Sequence, residues 1–342
     1  MLPFLTIAIP TFNGGARICS TLDTLLNEIV GNGIENIEIL VSDNASTDIG
    51  PAYLSVYESR FPGLIKCIKN QTNIGYDRNI VALLNNASGD YVWFIGDDDK
   101  CTPGAIKELY EAVHVYDHPA IILCSIGYED LQSGNHTFHQ KFKDNQFFES
   151  GDEFFQETLW MSSALSSICI KRAFWQPNFA IKYLDTNWMH LGVIMEILAL
   201  QPNSVVISKE MAVIGMNNPR WSTNFGNQFR DGLDHLKVLS GLNSLGYQSA
   251  SYECFKKSRI RNLVVDAAQM NPRGFHEKIK SVALLVTLFR FSPLVWFLVL
   301  PIILVPETLT KFLLSKEFVT SVLDWLRIFK RSFSSAESET DS

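Results

Sequence analysis

Tyr91-Val92-Trp93-Phe94-Ile95-Gly96-Asp97-Asp98-Asp99 joins an uninterrupted apolar run of β-forming residues to three consecutive carboxylates. Such a run reads as a strand covered on both faces, and the acids arrive where that strand would leave the core. Adjacent carboxylates repel one another, a cost tolerated where something positive, most simply a divalent cation, neutralises them. The other reading is a solvated acidic turn ahead of the helix start at Thr102-Pro103. The surrounding chain has to decide.

Working outward, the same alternation of strand and helix recurs. Leu5 to Ile9 is a β-type run stopped by Pro10, and a loop through Gly14-Gly15 follows. Ile18, Leu22, Leu25, Leu26 and Ile29 then fall at helical spacing. Ile37 to Val41 predicts a second strand, closing on Ser42 to Asp48, with Pro51 suited to the first turn of the next helix. Ile65 to Ile68 is a weaker strand, and a helix through Asp77 to Leu84 precedes the opening stretch. Repeated β-α units predict an α/β fold with a mostly parallel sheet and helices on both faces. In such sheets ligands lie beyond the carboxyl ends of the strands, where chain order reverses. Asn13, Asp43, Asn44, Asp48, Asn73, Arg78, Asn79 and Asp97 to Asp99 all come at or soon after a strand end. Gly14, Gly15 and Gly75 fit neither the dinucleotide fingerprint nor the P-loop, which disfavours both sites.

The chain has 342 residues and a net charge of -7, so it is long enough for a full core and is no nucleic-acid binder. Six cysteines without C-x-x-C spacing read as reduced thiols in a cytosolic setting. Met1 to Pro10 is too short for a signal peptide, and Ser332 to Ser342 reads as a disordered tail.

Pro10-Thr11-Phe12-Asn13, Val41 to Asp48, Asn73-Ile74-Gly75 with Arg78-Asn79, and Gly96 to Asp99 resemble, in this order, the motifs of family-2 inverting glycosyltransferases with the GT-A fold. The resemblance is strong from Leu5 to Ala105 and continues weakly to about Asn218. It implies a Rossmann-like nucleotide-binding half and a smaller acceptor-binding half. Thr11 and Asn13 would lie beside the base, and Asp43, with Asn44 beside it, would bond the base or ribose. Asn73 and Arg78 would face the sugar and phosphates, with Arg78 as a structural tie to Asp97 or Asp98 the alternative. Turn formation is the competing role for Asp43 and Asp48, and a helix cap for Asp48. The triplet would hold Mg²⁺ or Mn²⁺ on the donor diphosphate, with Asp99 the first choice of ligand, Asp97 the second, and Asp98 on the nucleotide-sugar side. Gly96 departs from the commoner Asp-x-Asp-Asp form and leaves the ligand set open. The Gly-Asp-Asp-Asp form and the Asn187-Trp188-x-His190 stretch also resemble abequosyltransferase-like enzymes, which use a CDP-activated deoxysugar.

Inversion needs a base for the acceptor hydroxyl. In the stretch that matches the family's base segment, Asn187 stands where the usual Asp would fall. Asp185 is therefore the candidate base and His190 the runner-up, against a helix-capping Asp185 and a structural His190. Trp160, Trp175, Trp188 and Trp221 either stack on acceptor sugars or belong to the core. Arg220, in the polar loop Asn217 to Ser222, would face the diphosphate.

From Ser281 to Val305 the chain is nearly all apolar, but Arg290, Ser292, Pro293 and Pro301 interrupt it short of the about 20 residues a spanning helix needs. A re-entrant or interfacial hairpin followed by an amphipathic stripe, Val319, Val322, Leu323, Leu326 and Phe329, is expected, against a buried helical pair. The expected organisation is a nucleotide-sugar-binding half (1–105), an acceptor-binding half (106–240), a helical connector (241–280), membrane-associating helices (281–331) and the tail (332–342). The expected activity is sugar transfer, in O-antigen or capsule assembly, to a saccharide on a lipid carrier at the cytoplasmic face of a bacterial inner membrane. A non-catalytic assembly factor of the same fold is the alternative.

Overall fold

The structure is a computed structural model that describes residues 2–159, 161–216, 225–248, 252–253, 256, 275–290, 293 and 295–304. Trp160, Trp221, Arg220 with its loop, the stripe from Val319 to Phe329 and the tail lie outside the described residues. Two compact units divide the chain: Met1–Thr223 with Asp234–Cys254, and Asn224–Leu233 with Phe255–Ser342.

In the first unit β1 (Leu5–Thr11), β2 (Ile37–Asp43), β3 (Ile65–Lys69) and β4 (Tyr91–Phe94) alternate with α1 (Arg17–Gly31), α2 (Gly50–Arg60) and α3 (Tyr76–Asn86). Every residue of β1 and β4 is buried, as an apolar run covered on both faces requires. Ile18, Leu22, Leu25, Leu26 and Ile29 of α1 are buried in the same core, each contributing about 2 kcal/mol by burial. The sheet continues through β5 (Lys100–Cys101), β6 (Ile121–Asp130), β7 (His136–Thr137), β8 (Gln146–Phe148), β9 (Ile168–Lys171) and β10 (Ser204–Met216). Between them lie α4 (Ala105–Val115), α5 (Gly151–Thr158), α6 (Pro177–Ile181) and α7 (Met189–Leu200); α8 (Phe225–Leu239) belongs to this unit only from Asp234 on.

Strand order is β3-β2-β1-β4-β9-β6-β10-β5. The first four strands are mutually parallel, whereas β9 runs antiparallel to both β4 and β6. Chain order reverses at β1, which has β2 on one side and β4 on the other. The crevice beyond the carboxyl ends of β1 and β4 is therefore the ligand position that this topology favours.

In the second unit α9 (Phe275–Phe289) is followed by a π-helical turn, Val295–Val299, that runs into Leu300–Leu304. Helix α9 ends at Phe289, and Arg290 lies in a turn. Trp296, Phe297 and Leu304 are exposed, Phe297 to 79 %. Among the described residues no helix is long and apolar enough to cross a membrane.

Candidate active site

Thr11 ends β1 and Asp97 follows β4, so the topology brings together residues far apart in the chain. The Thr11 hydroxyl donates to Asp97 Oδ2 at 2.6 Å across the crevice. A Cβ on Gly14 would stand 2.6 Å from that hydroxyl and 2.8 Å from that carboxylate, so only glycine lets the loop pass.

Asp99 folds back over Gly96. Its Oδ2 accepts the Ser166 hydroxyl, and Ser166 Oγ accepts the Gly96 N–H at 2.9 Å. The Ser166 carbonyl in turn accepts the Trp93 indole N–H at 3.0 Å, which ties this serine to the buried strand. A Cβ at position 96 would lie 2.5 Å from Asp99 Oδ2. Glycine at position 96 thus leaves open the space that the seated Asp99 carboxylate fills. Burial first, then the charges of Asp98 and Asp97, pushes Asp99 up to about 7, against the Ser166 hydrogen bond. Asp97 is buried as well, and Asp98 is half-buried.

A hard divalent cation fits this donor set. Desolvated carboxylates in mutual repulsion gain most from a neutralising ion, and all the oxygens are of the hard type. Among the described residues no three His, Cys, Asp or Glu side chains converge to hold a metal ion alone. One or two of these carboxylates would hold Mg²⁺ or Mn²⁺ together with oxygens of a bound diphosphate, as Mg²⁺ is commonly held.

At the end of β2, Asp43 is both a turn former and an open acceptor. Its Oδ1 takes the Ser46 N–H at 2.9 Å, while its Oδ2 is buried with no partner. A buried carboxylate oxygen without a donor is costly, and a ligand N–H or hydroxyl would relieve that cost. Asp48 accepts the Gly50 N–H at 2.9 Å and so serves the start of α2 from one position ahead of the N-cap Ile49.

The asparagines of the rim bind the rim itself. Asn13, at φ 53°, accepts the Thr47 N–H at 2.9 Å, and its own N–H donates to Ser46 Oγ at 2.8 Å. Asn44 donates to Asn73 Oδ1 at 2.9 Å and accepts the Ile74 N–H at 2.9 Å and the Asn70 amide at 3.1 Å. Asn73 Oδ1 also accepts the Gly75 N–H at 2.9 Å. These side chains fix the loop leading into α3.

The alternative role for Arg78, a tie to Asp97 or Asp98, gives way to a tie to Asp185. Both guanidinium nitrogens Nη1 and Nη2 grip the Asp185 carboxylate, the second at 3.0 Å. The start of α3 faces the loop ahead of α7, and that neighbour claims the arginine. With Asp185 70 % exposed, the pair orients more than it stabilises. Nor does Asp185 cap α7, whose N-cap residue is Trp188. Asp77, on α3, holds the turn ahead of it, accepting the N–H groups of Thr186 at 2.9 Å and Asn187 at 3.0 Å, and reaches the first α7 residue, Met189, at 3.4 Å. Burial holds Asp77 above the usual carboxylate range, and these bonds pull it back.

His190 is buried and lowered to about 4 by desolvation, hence neutral, with Nδ1 lacking a partner and Nε2 3.3 Å from the Ser163 carbonyl. The Tyr76 and Trp188 rings lie 6.2 and 5.8 Å from it. Trp188 stacks on His235 at 4.0 Å, and the Trp175 indole donates to Asn85 at 3.0 Å. Asp77, Ser166 and Arg17, which donates to the Asn13 carbonyl at 3.1 Å, escape sequence reasoning. An acid in the first turn of α3 was the available signal for Asp77; nothing local marks Ser166.

The Glycosyl transferase family 2 profile matches residues 6–176. Abequosyltransferase RfbV of Salmonella typhimurium is 25 % identical over 209 residues, 56 % of this chain and 60 % of that protein. The minor teichoic acid biosynthesis protein GgaA of Bacillus subtilis is 23 % identical over 205 residues, 56 % of this chain and 45 % of that one. The chain thus covers less than two thirds of either relative. In fold, S. aureus TarS 1–349 in complex with UDP-GlcNAc superposes with a TM-score of 0.54 at 12 % identity, over 86 % of this chain and 75 % of that one. The mannosyltransferase PcManGT from Pyrobaculum calidifontis, in complex with GDP-Man and Mn²⁺, gives 0.52 at 13 % identity, over 94 % and 83 %.

Proposed function

The chain belongs to glycosyl transferase family 2, and we propose that it moves a sugar, with inversion at the anomeric carbon, from a nucleoside diphosphate sugar to a saccharide hydroxyl. The observation that carries this reading is the pairing, at the reversal of the sheet, of the orphaned Asp43 Oδ2 with the Thr11-Asp97-Asp99 cluster. Asp43 accepts a hydrogen bond from the base or ribose. Asp99 and Asp97 would hold a divalent cation, which when bound would offset the charge that develops on the departing diphosphate. Asp185 takes the proton of the acceptor hydroxyl as its oxygen bonds to the anomeric carbon and the bond to the diphosphate breaks. Arg78 orients that carboxylate through its two hydrogen bonds to it.

A thermal-shift screen of nucleotide sugars with Mn²⁺ and with EDTA tests this reading. One donor should raise the midpoint by several degrees in Mn²⁺ only, since ligand at 100 times its Kd adds about 2.7 kcal/mol. Asp43→Ala should lose that response while keeping its fold. A screen in which no nucleotide sugar shifts the wild type sinks the proposal. Binding without transfer to any saccharide would instead favour a non-catalytic assembly factor.

The acceptor we propose is a lipid-linked saccharide, reached at the cytoplasmic face of the inner membrane in cell-surface polysaccharide assembly. Exposed Trp296, Phe297 and Leu304 support interfacial binding, and the similarity to an abequosyltransferase and to a teichoic acid biosynthesis protein supports a role in cell-surface polymer assembly. The full chain should sediment with anionic phospholipid vesicles, and a Trp296→Ser/Phe297→Ser variant should remain in the supernatant. Equal partitioning of the two would remove these residues from the membrane contact.

A further inference from the structure

We propose that Asp77 is the positioning residue that sets where the Asp185 carboxylate stands, an inference that rests on the function proposed above. Asp77 is 3 % exposed, and its two oxygens accept three backbone N–H groups more than a hundred residues away in sequence. Those N–H groups belong to the turn that carries Asp185 into α7. The turn needs an outside hold. Asp185 and Asn187 both sit at φ 63°, a left-handed conformation that Asp and Asn adopt more readily than other side chains and that leaves the turn without regular backbone pairing. The α7 start carries no side-chain cap at its own N-cap, and its first N–H, that of Met189, reaches Asp77 Oδ1 at 3.4 Å.

Asp77 supplies that hold, and its chain neighbour completes it. Asp77 grips the backbone of the turn, Arg78 grips the Asp185 carboxylate, and both project from the first turn of α3. Asn44, beside Asp43, bonds the Ile74 N–H at 2.9 Å and the Gly75 carbonyl at 3.3 Å. One helix start is thus fastened to the nucleotide side of the crevice by Asn44 and to the acceptor side by Asp77. Deleting the Asp77 carboxylate leaves Arg78 in place but frees the turn it should address.

Full-length wild type, Asp77→Asn and Asp77→Ala are compared by amide hydrogen exchange and by transfer kinetics with the donor found in the nucleotide-sugar screen. In Asp77→Ala, exchange at Thr186, Asn187 and Met189 should quicken on the order of tenfold or more, with β1 and β4 unchanged. The kcat should fall about 10²-fold with the donor KM unchanged, as expected for a misplaced base. Asp77→Asn keeps an acceptor oxygen without the charge and should fall between, which gives a second reading if the alanine variant folds poorly. Wild-type exchange at 186–189 in both variants, or a loss carried by donor KM, overturns the proposal. Exchange does not depend on catalysis. If no nucleotide sugar shifts the wild type, the functional reading fails on that result, and the hold of Asp77 on the turn is still decided by exchange.

Discussion

Asp99→Asn is expected to abolish sugar transfer and, in the same molecule, to raise the stability of the metal-free protein at pH 8. Asp99 is 6 % exposed, and burial, followed by the Asp98 and Asp97 charges, lifts it from 3.8 to about 7. A carboxyl whose folded value exceeds its unfolded value keeps its proton longer in the folded state. The folded protein therefore binds more protons between those two values, and stability falls as pH rises through that window. The upper limit of the loss at pH 8 is about 4 kcal/mol for this one group. An isosteric amide accepts the Ser166 hydroxyl without acquiring charge and escapes that loss. Thermal midpoints in EDTA should coincide only below the unfolded value of 3.8, where the carboxyl is protonated in both states, and diverge increasingly in favour of Asp99→Asn as pH rises through about 7 to 8. Mn²⁺ with the donor should reverse the order by stabilising the wild type alone, and transfer should drop by on the order of 10²- to 10³-fold or more. Unchanged activity, or a wild type as stable as the variant in EDTA at pH 8, would refute this account of the triplet.

Asp185→Asn should leave donor binding intact and reduce kcat by about 10²- to 10⁴-fold, the range that loss of a general base produces. Its stability should change by less than about 1 kcal/mol, because the ion pair it loses with Arg78 is exposed and screened. His190 gives the contrast. That ring is buried and neutral, flanked by Tyr76 and Trp188, so His190→Ala should act through packing, with a lowered thermal midpoint. A fall in kcat for His190→Ala at unchanged stability, with Asp185→Asn fully active, would exchange the two roles.

Much of the nucleotide half was legible before any coordinates, because its strands are covered on both faces and so read as apolar runs, each closing on polar residues. The periodicity of α1 named the very residues that face the core. The antiparallel β9, inserted between β4 and β6, was not legible: strand direction is set by the path of the connecting chain, which composition does not encode. Asparagine-rich motifs point to ligand contact, and the structure adds that Asn13, Asn44 and Asn73 also join loop to loop. A residue type that bonds ligands bonds backbone equally well, and only the neighbours distinguish the two.

By itself the sequence determined the order of β-α units and the rim at which Thr11, Asp43 and Asp97 to Asp99 would gather, since burial and period are properties of short stretches. Tertiary structure alone decided which polar groups meet. It gave Arg78 to Asp185 and not to the triplet, seated Asp99 in the space that Gly96 leaves open, and hung the Asp185 turn on Asp77. Each of these pairs joins groups that adjoin only after the chain has closed. A hydrogen bond depends on distance and direction, and neither exists for such a pair until the fold supplies them.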